Sequence, residues 1–264
     1  MATQTKYPTK RLDCFRKGKE LNMKCKEDKN LYTLKSPDER VEMKGLHLDG
    51  QSLATCIAST VVDASVEECA AWVCTDLDSR ETRRKMKQLS LVDRNVKHIN
   101  SHSLYYITNR SLGVIGLANR EARHKIIWHK QENSKVIIDF SPTDNLQEDF
   151  PVKTGNVLAK GHGVWVLEPL DPIEGMPQTA VTFTTKTDLG GNIPGFAINR
   201  LATKFLSNVS IMREKFFKTD NEKDWIEMQS FAKVIKNEPQ HYTEEEEEAI
   251  RKGKEFYERC KESK

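Results

Sequence analysis

Thr187-Asp188-Leu189-Gly190-Gly191-Asn192-Ile193-Pro194 stands between two segments of different period. Before it, over Gln178–Thr187, Thr179, Val181, Phe183 and Thr185 alternate with Ala180, Thr182, Thr184 and Lys186, the two-residue period of a strand. After it, Ile198, Leu201, Ala202, Phe205, Val209, Met212 and Phe216 recur three or four apart, the apolar stripe of a helix. The glycine pair does not easily continue a strand, and Pro194 suits a first helical turn, where a missing N–H costs nothing. The helix predicted from Gly195 runs about 20 residues, so it spans ~30 Å and crosses a whole sheet.

Outward from this junction, most of the preceding chain reads as extended. Val157–Leu167 is a predicted strand, and Glu168-Pro169-Leu170-Asp171-Pro172-Ile173-Glu174-Gly175 a loop held off helix by its prolines. Arg123–His129 and Lys135–Phe140 are β-prone, with Gln131–Ser134 as a tight hairpin link and Ser141-Pro142 as a turn. Arg120 and Glu121 are expected to form an ion pair at a strand end. His98–Thr108 carries Ile99, Tyr105 and Ile107 among polar residues and runs into turn residues Asn109-Arg110-Ser111. Gln51–Val62 reads as a strand ending at Asp63. Ser65, with Glu68 three residues on, predicts a capping box for a short helix burying Cys69, Ala70, Ala71, Trp72 and Val73. Asp78–Lys87 reads as an exposed short helix or loop. Past the long helix, Trp225, Met228, Phe231, Ala232 and Ile235 mark another, stopping near Pro239. Glu244–Glu248 is a solvated acidic run opening a last helix, where it suits the dipole; its carboxylates point all round and suggest no metal site. Serial strands followed by a long amphipathic helix predict an α+β fold with a curved antiparallel sheet, since regular strand–helix alternation is missing.

Composition narrows the function. With 37% hydrophobic, 31% charged and 8% aromatic residues, the 264-residue chain is expected to be globular. A net charge of +3 gives it no strong pull toward nucleic acid. Residues 1–40 hold 11 Lys/Arg against 6 Asp/Glu, and residues 220–264 hold 9 against 13. The basic front offers a peripheral contact with anionic membrane, but solvated ends are the favoured reading of both biases. Cys14, Cys25, Cys56, Cys69, Cys74 and Cys260 form no CxxC pair and no zinc spacing, so reduced thiols are expected. The N-terminus carries no secretory pattern, and no apolar run approaches the ~20 residues of a membrane span, so a cytoplasmic protein is expected.

The segment from about Leu46 to Phe217 resembles a START-type lipid-transfer domain, a helix-grip fold. The resemblance rests on Leu117-Ala118-Asn119-Arg120-Glu121-Ala122-Arg123, on Thr187–Pro194 with the following Asn199, on Tyr105-Tyr106, and on Trp165-Val166-Leu167-Glu168-Pro169-Leu170. Ile211-Met212-Arg213-Glu214-Lys215-Phe216 is similar to the close of the divergent START-like domains of algae and other protists. The resemblance implies a lipid-binding domain over residues 41–218; composition and pattern set a flexible basic region over 1–40 before it and a helical acidic extension over 219–264 after it. It also shows departures: Met86-Lys87 stands where many relatives have Trp-Asp. Ile126 stands where sterol-binding relatives carry a buried arginine, which implies an unusually apolar or partly filled cavity.

A bent sheet and a long helix that do not fully meet leave an apolar gap suited to a lipid tail. Its expected walls are Trp165, Phe183, Thr185, Ile198, Ala202, Phe205 and Val209, with Tyr105, His162 and Asn199 as polar contacts. Asp188, Gly190, Gly191 and Pro194 are the expected gate. No cofactor is implied. The same stripe would also pack a closed core, giving an interaction or structural module, as in one unit of a larger protein. An enzyme of the same fold would draw its base from His102, His124, His129 or His162, but no paired carboxylate, nucleophile order or metal spacing accompanies them. A non-enzyme that binds a lipid or other apolar molecule is the expectation.

Overall fold

The computed structural model describes residues 31–47, 53–113, 116–144, 146, 150–173, 176–191, 193, 195–217, 222–237 and 241–261. Nine strands form one sheet: β1 (Leu31–Thr33), β2 (Glu42–His47), β3 (Leu53–Val62), β4 (Leu91–His98), β5 (Ser103–Arg110), β6 (Arg120–Lys130), β7 (Val136–Pro142), β8 (Val157–Ile173) and β9 (Met176–Asp188). Their order is β1-β2-β3-β9-β8-β7-β6-β5-β4, antiparallel between neighbours. β7 ends early, and beyond it β6 and β8 meet in a short parallel patch, Arg120↔Val157 to Ala122↔Ala159. That contact records how tightly the sheet curls.

Among the described residues the helices are α1 (Val66–Asp76), α2 (Arg80–Lys85), α3 (Gly195–Phe217), α4 (Glu222–Lys236) and α5 (Glu244–Lys261). α1 begins at the expected capping box: the Glu68 N–H donates to Ser65 Oγ at 3.2 Å, and the Ser65 N–H to Glu68 Oε2 at 2.8 Å. Cys69–Cys74 are all buried because α1 sits between the sheet and α4. The 23-residue α3 lies across β2, β3 and β9 and buries Ile198, Leu201, Ala202, Leu206, Val209 and Met212. α1 and α3 together cover the concave face. Among the described residues no helix is long and apolar enough to cross a membrane.

α5 covers the opposite face, against β6, β7 and β8, where Phe256 joins Ile137, Val164 and Val166 in a separate small cluster. Gly253 makes the approach close, since a Cβ there would lie 2.9 Å from Asp139 Oδ1. The acidic run opening α5 is not wholly solvated. Glu246 is only 2% exposed, and its carboxylate accepts from Asn100 Nδ2 (2.7 Å), Ser103 Oγ (2.9 Å) and the Thr243 N–H (2.9 Å), with His102 Nε2 at 2.9 Å. Burial works to raise its pKa, but these donors hold it down to about 2.

Several expected boundaries move for physical reasons. The predicted strand His98–Thr108 straddles a turn: Asn100 Oδ1 accepts from the N–H groups of His102 and Ser103, folding the chain between β4 and β5 and leaving Ile99 exposed. Asn109 and Arg110, expected in a turn, continue β5, and Ser141-Pro142 ends β7. The expected loop after Leu167 instead continues β8 to Ile173, pairing Pro169 with Thr179 and Leu170 with Gln178. β7 reaches only as far as Leu167, so the prolines sit where one side of β8 is unpaired and no donor is needed. Leu31–Thr33 and buried Leu34, within the expected N-terminal region, belong to the folded domain; residues 1–30 lie outside the described residues.

Glu246→Ala should leave His102 Nε2 and Asn100 Nδ2 without their acceptor and cost about 3 kcal/mol. Denaturant unfolding would show this as a lower midpoint at unchanged slope.

Candidate functional site

Between the concave face, α1 and α3 lies a cavity of about 130 Å³. Its floor is glycine: Gly161 and Gly163 of β8 point inward, where a Cβ would come within 3.2 Å of Thr187 Oγ1 and 3.3 Å of the Phe183 ring. Beside them Trp165 stacks on Phe183 at 4.5 Å, and Trp72 of α1 meets Trp165 edge-on at 6.5 Å. Tyr106, Ala122, Phe140, Ala159, Thr185, Leu189, Leu201 and Phe205 complete much of the apolar lining.

The polar lining is cationic. Arg110, Arg120 and Lys204 face the cavity with one carboxylate, Asp76, among the described residues. Arg110, at the end of β5, lies 4.8 Å over the Phe205 ring and donates from Nη1 to the Leu89 carbonyl at 2.8 Å. Burial pulls its pKa down, although a guanidinium stays protonated. Lys204 of α3 donates to Ser90 Oγ, and burial, Arg200 and Arg110 pull its pKa down. Asp76 accepts from Ser79 and Thr82, yet burial pushes its carboxyl up.

At the level of sequence, no family model and no curated protein matches the chain. Solved structures do. The lipid transfer and protein localization domain of human StarD13 (DLC2) aligns at 16% identity and a TM-score of 0.53, over 72% of this chain and 91% of its own. A STAR-related lipid transfer protein fragment from Xanthomonas axonopodis gives 16% and 0.54, over 72% and 99%. Human StAR-related lipid transfer protein 5 gives 15% and 0.54, over 80% and 100%. The chain has the START-type helix-grip fold. Its nine-stranded sheet is curved but not closed into a barrel.

Within this START-type fold the expected lining divides. Trp165, Phe183, Thr185 and Phe205 border the cavity. Ile198 and Ala202 border only a minor crevice of about 10 Å³, shared with Thr185 and Phe205, and Val209 is packed in the core with no exposure. None of the three expected polar contacts is in the cavity. Tyr105 faces away, because the inward set on β5 is Leu104, Tyr106, Thr108 and Arg110; the predicted strand had the opposite parity, and a one-residue shift exchanges the faces. His162 points outward from between the floor glycines, with Nε2 2.6 Å from Asp139 Oδ1 and its ring 4.6 Å from that of Phe256. Asn199 accepts from the Tyr32 hydroxyl at 2.7 Å and so ties α3 to β1.

Gly190 and Gly191 take positive φ (66° and 75°), as a glycine pair in a sharp turn permits, and the Gly190 N–H donates to Asp188 Oδ1 at 2.9 Å. Pro194 lies outside the described residues. Arg120 clasps this turn, donating to the carbonyls of Leu189 (2.6 Å) and Gly190 (3.2 Å) and to that of Ala118. The expected Arg120–Glu121 pair therefore does not form. Neighbours on a strand point to opposite faces, and Glu121 instead takes buried Arg123 at 2.5 Å.

Ile126 is buried in the core at 1% exposure, as an apolar replacement for a buried charge would be, yet the cavity is not unusually apolar. Part of its charge enters from Arg110, which the sequence placed in a turn. The missed signal was the two-residue step from Tyr106 through Thr108 to Arg110.

Of the four histidines weighed as bases, only His124 lines the cavity. Burial, with His162 nearby, lowers its pKa to about 4, and its Nδ1 has no partner. An unfolded histidine protonates near 6.5. Between these values the unfolded chain binds the extra proton, so acidification should destabilise the fold by up to ~1.4 kcal/mol per pH unit. His124→Gln should flatten that part of the profile, read from urea midpoints between about pH 7 and about pH 4.

Proposed function

We propose that the protein binds a lipid or similar apolar molecule in this cavity and transfers it between membranes, without catalysing a reaction on it. The observation that carries the reading is the cavity itself, about 130 Å³ enclosed between the sheet, α1 and α3 and walled by Trp72, Trp165, Phe183 and Phe205. Removing apolar surface from water gives ~0.8 kcal/mol per buried methylene, so a chain entering there needs few polar contacts. The printed names of the StarD13 domain and StAR-related lipid transfer protein 5, which share the fold, describe lipid transfer. Lipid binding falls to residues 41–218 in this reading, with residues 219–264 as a helical extension. Against catalysis, His124 is too weak a base near neutral pH, and His102 and His162 face α5 rather than the cavity.

Common ligand pockets are ~300–1,000 Å³, so a cavity of about 130 Å³ must widen for an extended lipid. In the proposal the turn at Asp188, Gly190, Gly191 and Pro194 is the gate, and the Arg120 clasp is its latch. The basic surplus of residues 1–40 favours peripheral docking on anionic membrane in the cytoplasm. The small volume favours one other reading, a non-catalytic module whose pocket stays closed.

Native mass spectrometry of the gently purified chain, followed by lipid-uptake assays, separates the two readings. Transfer predicts a bound lipid or uptake that Ala122→Leu, which fills the cavity, reduces at least about tenfold. An empty protein that takes up nothing supports the closed module.

A further inference from the structure

A cavity built only for hydrocarbon has no use for a charge, because an ionised group taken out of water loses its solvation unless it gains a partner. Arg110 breaks this rule. Its Nη1 is held by the Leu89 carbonyl and its face rests on Phe205, but its Nε is shielded from solvent and has no hydrogen-bond partner. Among the described residues no carboxylate forms an ion pair with it. Lys204 adds a second cation to the same lining, and Arg200 stands near enough to influence it. The guanidinium is thus held by the Leu89 carbonyl, the Phe205 ring and the Tyr106 hydroxyl, with Nε left unpaired in a cavity that holds a positive surplus.

We propose that the ligand is a single-chain amphiphile with a carboxylate head, and that Arg110 is the residue that receives that carboxylate. This rests on the cavity being a ligand site, as proposed above, and adds what the ligand must carry. A carboxylate offers the planar pair of acceptors that a guanidinium edge matches, and such charge-assisted bonds are short and strong. Lys204 supplies a second attraction from α3, on the opposite wall. Asp76 does not cancel the surplus: its oxygens are engaged by Ser79 and Thr82, and burial favours its neutral form. The limited volume argues for one chain rather than two.

The test is isothermal titration of the full chain with octanoic, decanoic and dodecanoic acids, the matching alcohols, and dodecyl phosphate. The acids should bind about 10- to 100-fold more tightly than the alcohols. Arg110→Gln, checked for an intact thermal transition, should erase that preference, Arg110→Lys should restore part of it, and Lys204→Gln should weaken it. Alcohols binding as tightly as acids would overturn the carboxylate assignment and leave the lipid-site reading standing. Tighter binding of dodecyl phosphate than of dodecanoic acid would overturn it in favour of a phosphate head. Failure of every compound to bind the unmutated protein would overturn both readings, and the comparison on that protein decides the matter even if a variant does not fold.

Discussion

The structure depends on a sheet that is covered on both faces, so that every inward residue has an outward neighbour with a different task. β8 shows the constraint most fully. Gly161, Gly163 and Trp165 face the cavity, while His162, Val164 and Val166 face α5. The inward series is graded from absent side chain to large ring, and at the glycine end Thr187, His124 and the Phe183 ring close in on the backbone. The outward series is a packing surface that Phe256 completes. A substitution at one parity acts on the cavity, and at the other on the docking of α5. Neither helix layer could be omitted without exposing one of these series to water.

The electrostatics follow the same division. On the outer side, charges are matched: Glu121 with Arg123, Glu246 with His102 and its neighbours, and Asp139 with His162. On the inner side they are not. Arg120 spends its donors on backbone carbonyls, and Arg110 has one carbonyl, one ring, the Tyr106 hydroxyl and an unmatched Nε. Ordinary packing does not account for leaving the imbalance on the cavity side, where water is scarce and an unmatched charge costs most.

The sequence made the large elements legible wherever a strong local signal coincided with the tertiary outcome. The stripe from Ile198 to Phe216, the Ser65–Glu68 capping box and the alternation in β9 each depend on spacing within one element. Parity in β5 was not legible, because Tyr105 and Tyr106 are equally suited to either face, and the choice is made by the Asn100 turn that starts the strand. The prolines of β8 were misleading for a related reason: whether a proline breaks pairing depends on which neighbour lies beside it, and β7 ends just before Pro169. The burial of Glu246 depends on donors about 140 residues earlier in the chain, at Asn100 and Ser103. Arg110 fell between these cases, since its local sequence is that of a turn and its role is set by α3 closing over it.

The bonds also decide which wall could yield. α5 braces β6, β7 and β8 from outside, and α4 braces α1. α3 is tied at Asn199 to Tyr32 and near its C-terminal end by Arg213 to Asp38 at 3.1 Å and Lys215 to Glu81 at 3.5 Å. The glycine turn before α3 has a different kind of hold, the Arg120 fork on the Leu189 and Gly190 carbonyls. That fork comes from the first residue of β6, two and four residues along the strand from the cavity-facing Ala122 and His124. Leu189, the residue whose carbonyl it grips, is itself part of the lining. Releasing the fork would therefore free lining and turn together while the braced sheet stayed in place. The segment whose glycines mark the change from strand to helix is thus also the part of the wall that one side chain, Arg120, grips by its backbone carbonyls.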